Sequence, residues 1–314
     1  MTAERSFPGF CKIHLEDRAV FTEYLKRMLF PPQLITYTFG NFYLWRHWDQ
    51  FCWQIREDAL CILAQSPFGL SALPPLASGI ESFIQAVDYL TEEFHRQQQP
   101  ILFTELDSRL CALIQKTWPG RFLAEEYRPG SNYIYRQEDL AGLKGKKYDG
   151  KRNHLNSFFR NTPDWQLCPL NKELAEPCKT LFRSWNALLH PDEPELQLEA
   201  LGIEQALEHL PELQLSGAVL LSRGKPIAFT FGEELNANTF CIHVEKADSR
   251  IRGAYQAINK LFAAEYCQTY TYINRAEDMG NPGQRKAKES YHPCCLERKY
   301  ILRERNEHSL CPPK

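Results

Sequence analysis

Residues 241–293, CIHVEKADSRIRGAYQAINKLFAAEYCQTYTYINRAEDMGNPGQRKAKESYHP, set one long helix-periodic segment between two strand-like runs. CIHVEKA alternates apolar and polar residues, the period of a half-buried strand, and so places His243 and Glu245 on one face. GAYQAINKLFAAEYC has helical spacing, and TYTYIN returns to a strand. Upstream, SGAVLLSRGKPIAFTFGEEL predicts two strands across an Arg-Gly-Lys-Pro turn. The order is therefore three strands, a short charged loop, a helix and a strand, followed by a charged stretch broken at Gly280, Pro282 and Gly283.

That order is the one a GNAT-type acyltransferase core requires. In such a core the loop after a central strand and the start of the next helix present backbone N–H groups to a phosphate-bearing acyl donor. Here the loop is Lys246–Gly253, with Arg250 and Arg252 as counter-charges and Gly253 for close approach. Tyr255 stands where a small residue would complete the spacing R-x-x-G-x-[GA]. A charged loop that only caps a helix is the alternative, and spacing does not separate the two.

The terminal stretch carries Asn274, Arg275, Glu277 and Asp278, a turn through Gly280, and then Arg285, Lys286 and Lys288. Such carboxylates could hold an ammonium group, and such a basic cluster a phosphate or carboxylate, which suits a charged amino acid on a nucleic-acid carrier. A solvated loop with surface ion pairs is the alternative. Candidates for general-base work are His243, Glu245, Glu277, Asp278 and His292. Residues 143–161, LKGKKYDGKRNHLNSFFRN, interleave Lys144, Lys146, Lys147, Lys151, Arg152 and Arg160 with Tyr148, Phe158 and Phe159. That mixture can grip a nucleic-acid backbone, or it can be a helix with one wet face whose Leu155, Phe158 and Phe159 are core.

The first half shows the same alternation of elements. GNFYLWRHWDQFCWQIREDALCILAQ reads as strands joined by a turn. SGIESFIQAVDYLTEEFHRQ reads as a helix with Ile80, Phe83, Ile84, Val87 and Leu90 on one stripe and Ser78 as its N-cap. After it come ILFTEL, DSRLCALIQKTW, RFLAEEY and SNYIYRQEDLAGL, strand and helix in turn. In the second half two helical segments flank HPDEPELQ, an acidic loop at 190–197. The fold class is α/β (α+β), in two domains at 1–140 and 166–314 joined by a basic connector at 141–165.

Composition sets the frame. With 314 residues, 43% hydrophobic and 12% aromatic, the chain can fill two cores. A net charge of −2 gives no global attraction to polyanions, so such a partner needs a local basic patch; no DNA partner is expected. No apolar run reaches membrane-span or signal-peptide length, which predicts a soluble cytoplasmic protein without a membrane span. Eleven scattered cysteines without a C-x-x-C pair read as free thiols. A zinc site from Cys241, His243, Cys294 and Cys295 lacks paired ligand spacing, so no metal is expected. G-x-S-x-G and glycine-rich nucleotide motifs are absent.

Taken together, NFYLWR (41–46), NYIYRQEDLAGLKGKKYDGKRNHLNSF (132–158), HVEKADSRIRGAYQAIN (243–259) and YINRAEDMGNPGQRKAKESYHP (272–293) resemble the C-terminal domain of phosphatidylglycerol lysyltransferases. The resemblance implies two tandem GNAT-like domains and kinship with Fem-type transferases, which move an amino acid from aminoacyl-tRNA to an amine or hydroxyl. It implies site positions Lys151, Arg152, Asn153, His243, Glu245, Gly253, Asn274, Arg275, Glu277, Asp278, Gly280, Arg285, Lys286 and Lys288. The lipid-modifying lysyltransferases carry a membrane-spanning half that this sequence does not include, which turns the expectation toward a small-molecule or peptide acceptor. Aminoacyl-tRNA is then the expected donor, with no tightly bound cofactor. An acyl-CoA donor bound at Arg250, Arg252 and Gly253 is one alternative, and a non-catalytic RNA- or protein-binding module is another.

Overall fold

The computed structural model describes residues 7–66, 69–189 and 194–305. The first part of the chain runs β1 (Cys11–Lys12), α1 (Arg18–Lys26), α2 (Phe39–Trp45), β2 (Cys52–Arg56), β3 (Ala59–Ser66), β4 (Gly69–Ala72), β5 (Leu76–Ala77) and α3 (Ile80–Arg96). It continues with β6 (Leu102–Leu106), α4 (Ser108–Thr117), β7 (Phe122–Glu126), β8 (Asn132–Arg136), α5 (Gln137–Gly142) and α6 (Asp149–Asn161). Next come β9 (Gln166–Pro169), α7 (Lys172–Leu189), α8 (Pro194–Glu208), α9 (Leu210–Leu213), β10 (Ser216–Ser222), β11 (Lys225–Asn236) and β12 (Thr239–Ala247). The last elements are α10 (Ala254–Tyr266), β13 (Tyr272–Asn274), α11 (Pro282–Glu289), β14 (Cys295–Glu297) and β15 (Tyr300–Glu304).

These strands build two mixed sheets, ordered β1-β2-β3-β4-β6-β15-β7 with β5 on β3, and β14-β8-β13-β12-β11-β10-β9. A division at 141–165 does not follow the sheets. β8 belongs to the second sheet, between β13 and β14, while β15 returns to the first, between β6 and β7. β8 is buried along four of its five residues, as a strand with neighbours on both edges and cover on both faces must be. Its apolar run reads the same in either sheet, so periodicity does not name its partners.

Local chemistry explains two further departures. Phe39, Phe42 and Tyr43 fall at helical spacing, Thr38 Oγ1 accepts the Asn41 N–H, and the segment read as a strand becomes α2. Phe39 and Phe42 pack edge-on against Phe21, with ring centres 5.5 and 5.4 Å away. Helix α3 starts one residue later than expected: Gly79, not Ser78, is its N-cap, and Ile80 is exposed while Phe83, Val87 and Leu90 are buried. Of the acidic loop, 190–193 lie outside the described residues, and Pro194 already opens α8.

Two features of the second sheet position the site. β12 and β13 are parallel only through Thr239–Tyr272, Phe240–Ile273 and Cys241–Asn274, and then part. On the other edge of β12, pairing with β11 steps from Gly232–Ile242 to Phe231–Val244 and leaves His243 as the extra residue of a bulge. One inserted residue inverts the alternation, so Ile242 joins the core under α10 while Val244 joins the core with Phe229 and Phe231. His243 and Glu245 therefore point to opposite faces of the sheet, contrary to the simple alternation.

Candidate functional site

Where β12 and β13 diverge, Arg275 reaches back across the gap and its Nη2 donates to Glu245 Oε1 at 2.9 Å. Asn259 on α10 donates through Nδ2 to Glu245 Oε2 at 2.9 Å, so one carboxylate ties both strands to the helix behind them. The Arg275 guanidinium stacks 4.8 Å from the centre of the Tyr291 ring and 5.5 Å from that of Tyr135. Lys151 from α6 lies 3.8 Å from the centre of the Tyr291 ring and donates to Ser290 Oγ at 2.6 Å. Lys288 from α11 donates to the Arg275 carbonyl. Burial, then the charge on Arg275, pull the Lys151 and Lys288 ammonium groups down to about 8.

Asp278 anchors this wall. It is fully buried and accepts from Tyr133 Oη at 2.6 Å, Arg285 Nε at 2.9 Å, Arg285 Nη2 at 3.1 Å, Arg128 Nη1 at 3.2 Å and the Gly280 N–H at 2.8 Å. Burial alone would raise its pKa, but Arg285, Tyr133 and the Gly280 N–H outweigh it and hold the carboxyl well below the usual range. Gly280 sits at φ +76°, a left-handed turn that brings its N–H onto Asp278. Asn274 is likewise committed: its Nδ2 donates to Asn132 Oδ1 at 2.9 Å and to the Gln33 carbonyl at 3.1 Å. Asn132 in turn accepts the Ile35 N–H at 2.7 Å, stitching the 33–35 segment to β8 and β13. Asp278, Asn274, Gly280 and Arg285 position the site rather than face its space.

Glu277 turns the other way. Its Oε2 accepts from Asn132 Nδ2 at 3.2 Å, and its charge acts on Lys288 on one side and on Lys299 and Asp49 on the other. Lys299, just before β15, is buried and pairs with Glu105 Oε2 at 2.7 Å; Thr36 Oγ1 donates to the same oxygen. Burial works against the Lys299 charge, yet Glu105 and Glu277 raise its pKa. Asp49 shares this acidic side: burial, then Glu105, push its carboxyl up to about 7, with Lys299 opposing and Glu277 adding. Asp49, Glu105 and Lys299 carry no motif in the sequence and meet only because β15 crosses into the first sheet.

Several expected residues lie elsewhere. His243 faces the first half of the chain, where its Nε2 meets Glu233 Oε1 at 2.8 Å, and Glu233 Oε1 also accepts the Gly40 N–H of α2 at 2.8 Å. A Cβ on Gly40 would stand 2.3 Å from that oxygen, so glycine permits the contact. Burial opposes a charged His243, but Cys241 and Glu233 raise it to about 10. A pKa raised from 6.5 means that the pair's stabilisation is complete below pH 6.5 and lost as pH rises through about 10. Urea denaturation from pH 6 to 10 should show that loss, and His243→Gln should remove it from the profile; identical slopes for the two proteins would contradict the pairing.

Arg250 is exposed and forked onto Asp248, with Nη2 to Oδ2 at 2.8 Å; Arg252 is exposed too. Gly253 takes φ +88°, and a Cβ there would meet the His154 carbonyl oxygen at 2.2 Å, because α6 packs directly on the start of α10. Arg152 donates to the carbonyls of Leu143 and Gly145 and pairs with Asp149, closing the turn into α6; Asn153 and Lys286 are exposed. The end of the loop at Gly253 is thus covered by α6, while Arg250 and Arg252 stay exposed. His292 Nε2 lies 3.2 Å from the Lys147 carbonyl oxygen, on the outer side of this region. Among the described residues, no three His, Cys, Asp or Glu side chains gather as a metal-binding group, and no helix is long and apolar enough to cross a membrane.

Residues 27–303 match the family described as phosphatidylglycerol lysyltransferase, C-terminal. A conserved protein of unknown function from Bacteroides thetaiotaomicron VPI-5482 superposes with a TM-score of 0.88 at 33% identity, over 96% of this chain and 100% of that one. L-PGS from Bacillus licheniformis gives 0.64 at 17% identity, over 93% and 94%. FemX gives 0.61 at 8% identity, over 96% and 98%; these last two likenesses are of fold. An uncharacterized protein of Mycoplasmoides gallisepticum is 24% identical over 181 residues, 56% of this chain, and the match spans 57% of that relative's length.

Proposed function

The chain belongs to the family of phosphatidylglycerol lysyltransferase C-terminal domains, and from that premise we propose that it transfers an aminoacyl group from aminoacyl-tRNA to an amine or hydroxyl acceptor. Its architecture is tandem and GNAT-like, and it is an acyltransferase by family. The observation that carries the finer reading is the Glu245–Arg275 pair. Here that half-buried ion pair bridges the diverging strands β12 and β13, and α6 packs on Gly253 at the helix start, where a phosphate-bearing acyl donor would meet the backbone N–H groups.

In the proposed reaction the acceptor nitrogen or oxygen attacks the ester carbonyl carbon. The new bond forms, the carbonyl oxygen takes up negative charge, the bond to the ribose oxygen breaks, and the tRNA leaves as its hydroxyl. Arg275 and the two lysines supply positive charge for the oxyanion, while the acidic side takes the proton that the acceptor N–H or O–H gives up and passes it to the departing ribose oxygen. Asp49 is the carboxylate suited to that proton near neutral pH.

The direct test is transfer of label from charged total tRNA to amine and hydroxyl acceptors, with deacylated tRNA and acetyl-CoA as competitors. Label transfer from charged tRNA that acetyl-CoA does not inhibit supports the reading; stabilisation or turnover by acyl-CoA alone moves the protein to that donor. The transfer rate should rise with pH through about 7 as Asp49 ionises, and Asp49→Asn should flatten the profile. Ionising a carboxyl whose pKa is raised by folding costs stability above its unfolded value, so the same variant should be more stable than wild type at pH 8. A wild-type rate that is level from pH 6 to 8 removes Asp49 from this role.

A further inference from the structure

Lys151 on α6, Arg275 just after β13 and Lys288 on α11 form one half-buried cluster: Lys151 and Arg275 both lie over the Tyr291 ring, Arg275 also over Tyr135, and Lys288 donates to the Arg275 carbonyl. Glu245 is the carboxylate bonded within it, and it is shared between Arg275 and Asn259. Glu277 and Asp278 also act on Lys288, but Asp278 is committed to Arg128 and Arg285. The cluster therefore holds more positive than negative charge, an arrangement that burial makes costly unless something anionic completes it.

Two buried polar atoms point to what is missing. Arg275 Nη1, a donor, and Asn259 Oδ1, an acceptor, have no hydrogen-bond partner, and both belong to side chains that bind Glu245. Buried polar groups are almost always satisfied, and an unsatisfied donor beside surplus positive charge asks for an oxygen of an anion. The unsatisfied acceptor, on the second residue bonded to the same carboxylate, asks for an O–H or N–H. A phosphate with a neighbouring hydroxyl, as on a nucleotide, meets both requirements in one molecule.

We propose that this cluster is an oxyanion site that takes a substrate phosphate group, with Arg275 Nη1 as its direct donor and Asn259 Oδ1 receiving a hydroxyl of the same molecule. The proposal rests on the aminoacyl-tRNA reading, in which that phosphate belongs to the last nucleotides of the donor. The same chemistry would serve a phosphorylated small molecule.

The test is calorimetric titration of the full chain with inorganic phosphate, AMP, adenosine and the trinucleotide CCA, repeated on Lys151→Met and on Lys288→Met. Lys151 is partly exposed, so its variant tests the site without dismantling the Glu245–Arg275 pair, and a melting curve checks the fold. The wild type should bind the phosphate-bearing compounds and not adenosine, and each variant should bind them at least about tenfold more weakly. A trinucleotide that binds tighter than AMP assigns the phosphate to an RNA end; AMP or phosphate binding as tightly assigns it to a small molecule. Adenosine binding as well as AMP, no phosphate compound binding, or folded variants binding like wild type would each overturn the site. If transfer from charged tRNA proceeds unchanged in Lys151→Met, the site fails and the donor reading stands. If phosphate binding is lost in the variant but no charged tRNA supports transfer, the donor reading fails and the site stands.

Discussion

Asp278→Ala is expected to destabilise the fold by about 3–5 kcal/mol, because it leaves Arg128 and Arg285 without their shared buried carboxylate. Tyr133 Oη and the Gly280 N–H lose their acceptor in the same step. Urea denaturation gives the value directly, and a variant within ~1 kcal/mol of wild type would contradict the anchoring role. The same carboxylate fixes an acid limit. Its folded pKa lies below the unfolded 3.8, so its stabilisation is present above that pH and is lost as the pH falls below it. Glu277→Gln should behave oppositely: one hydrogen bond to Asn132 is altered, stability changes little, and transfer falls. Those two outcomes together would separate the adjacent acids into one that holds the wall and one that serves transfer.

The second large effect is expected at Glu245 and Arg275. Glu245→Met leaves the Arg275 guanidinium buried without a counter-charge, and Arg275→Met leaves the carboxylate so; each should cost about 3–5 kcal/mol. The double variant should be more stable than either single one, because paired apolar side chains carry no desolvation penalty. Additive losses would show that the two side chains act separately. The double variant also removes the bridge across the strand gap and should lose transfer from charged tRNA by at least about a hundredfold. An unchanged transfer rate would take Arg275 out of the chemistry.

Much of the second sheet was legible because its signals are local: alternation for β10, β11 and β12, helical spacing for α10, and an aromatic run for β13. Within the charged motif after β13, the structure joins Arg275 to Glu245 and Lys288 to the Arg275 carbonyl, with the more distant Lys151 on the Tyr291 ring that Arg275 also stacks on. Its internal division was not legible. Asp278 and Glu277 are neighbours of one chemical type, and only the turn through Gly280 decides which is buried. The bulge at His243 depends on register with β11, which no single-strand pattern contains. FYLW satisfies both periods, and the capping Thr38 settles it as helix. Asp49, Glu105 and Lys299 were silent because single charged residues acquire meaning only from what packs beside them.

The position of β15 bears on how the protein is made. β6 and β7 are translated early, yet the strand that separates them lies at Tyr300–Glu304. While the ribosome is still working through the second sheet, the first has a gap of one strand with an unpaired edge on each side, the kind of surface that recruits other chains. Completion of that sheet must wait for translation of the last described strand, and the same event delivers Lys299 to Glu105. A nascent chain that has not reached Lys299 therefore holds Glu105 without its basic partner, and that side of the cleft is complete only when both sheets are closed.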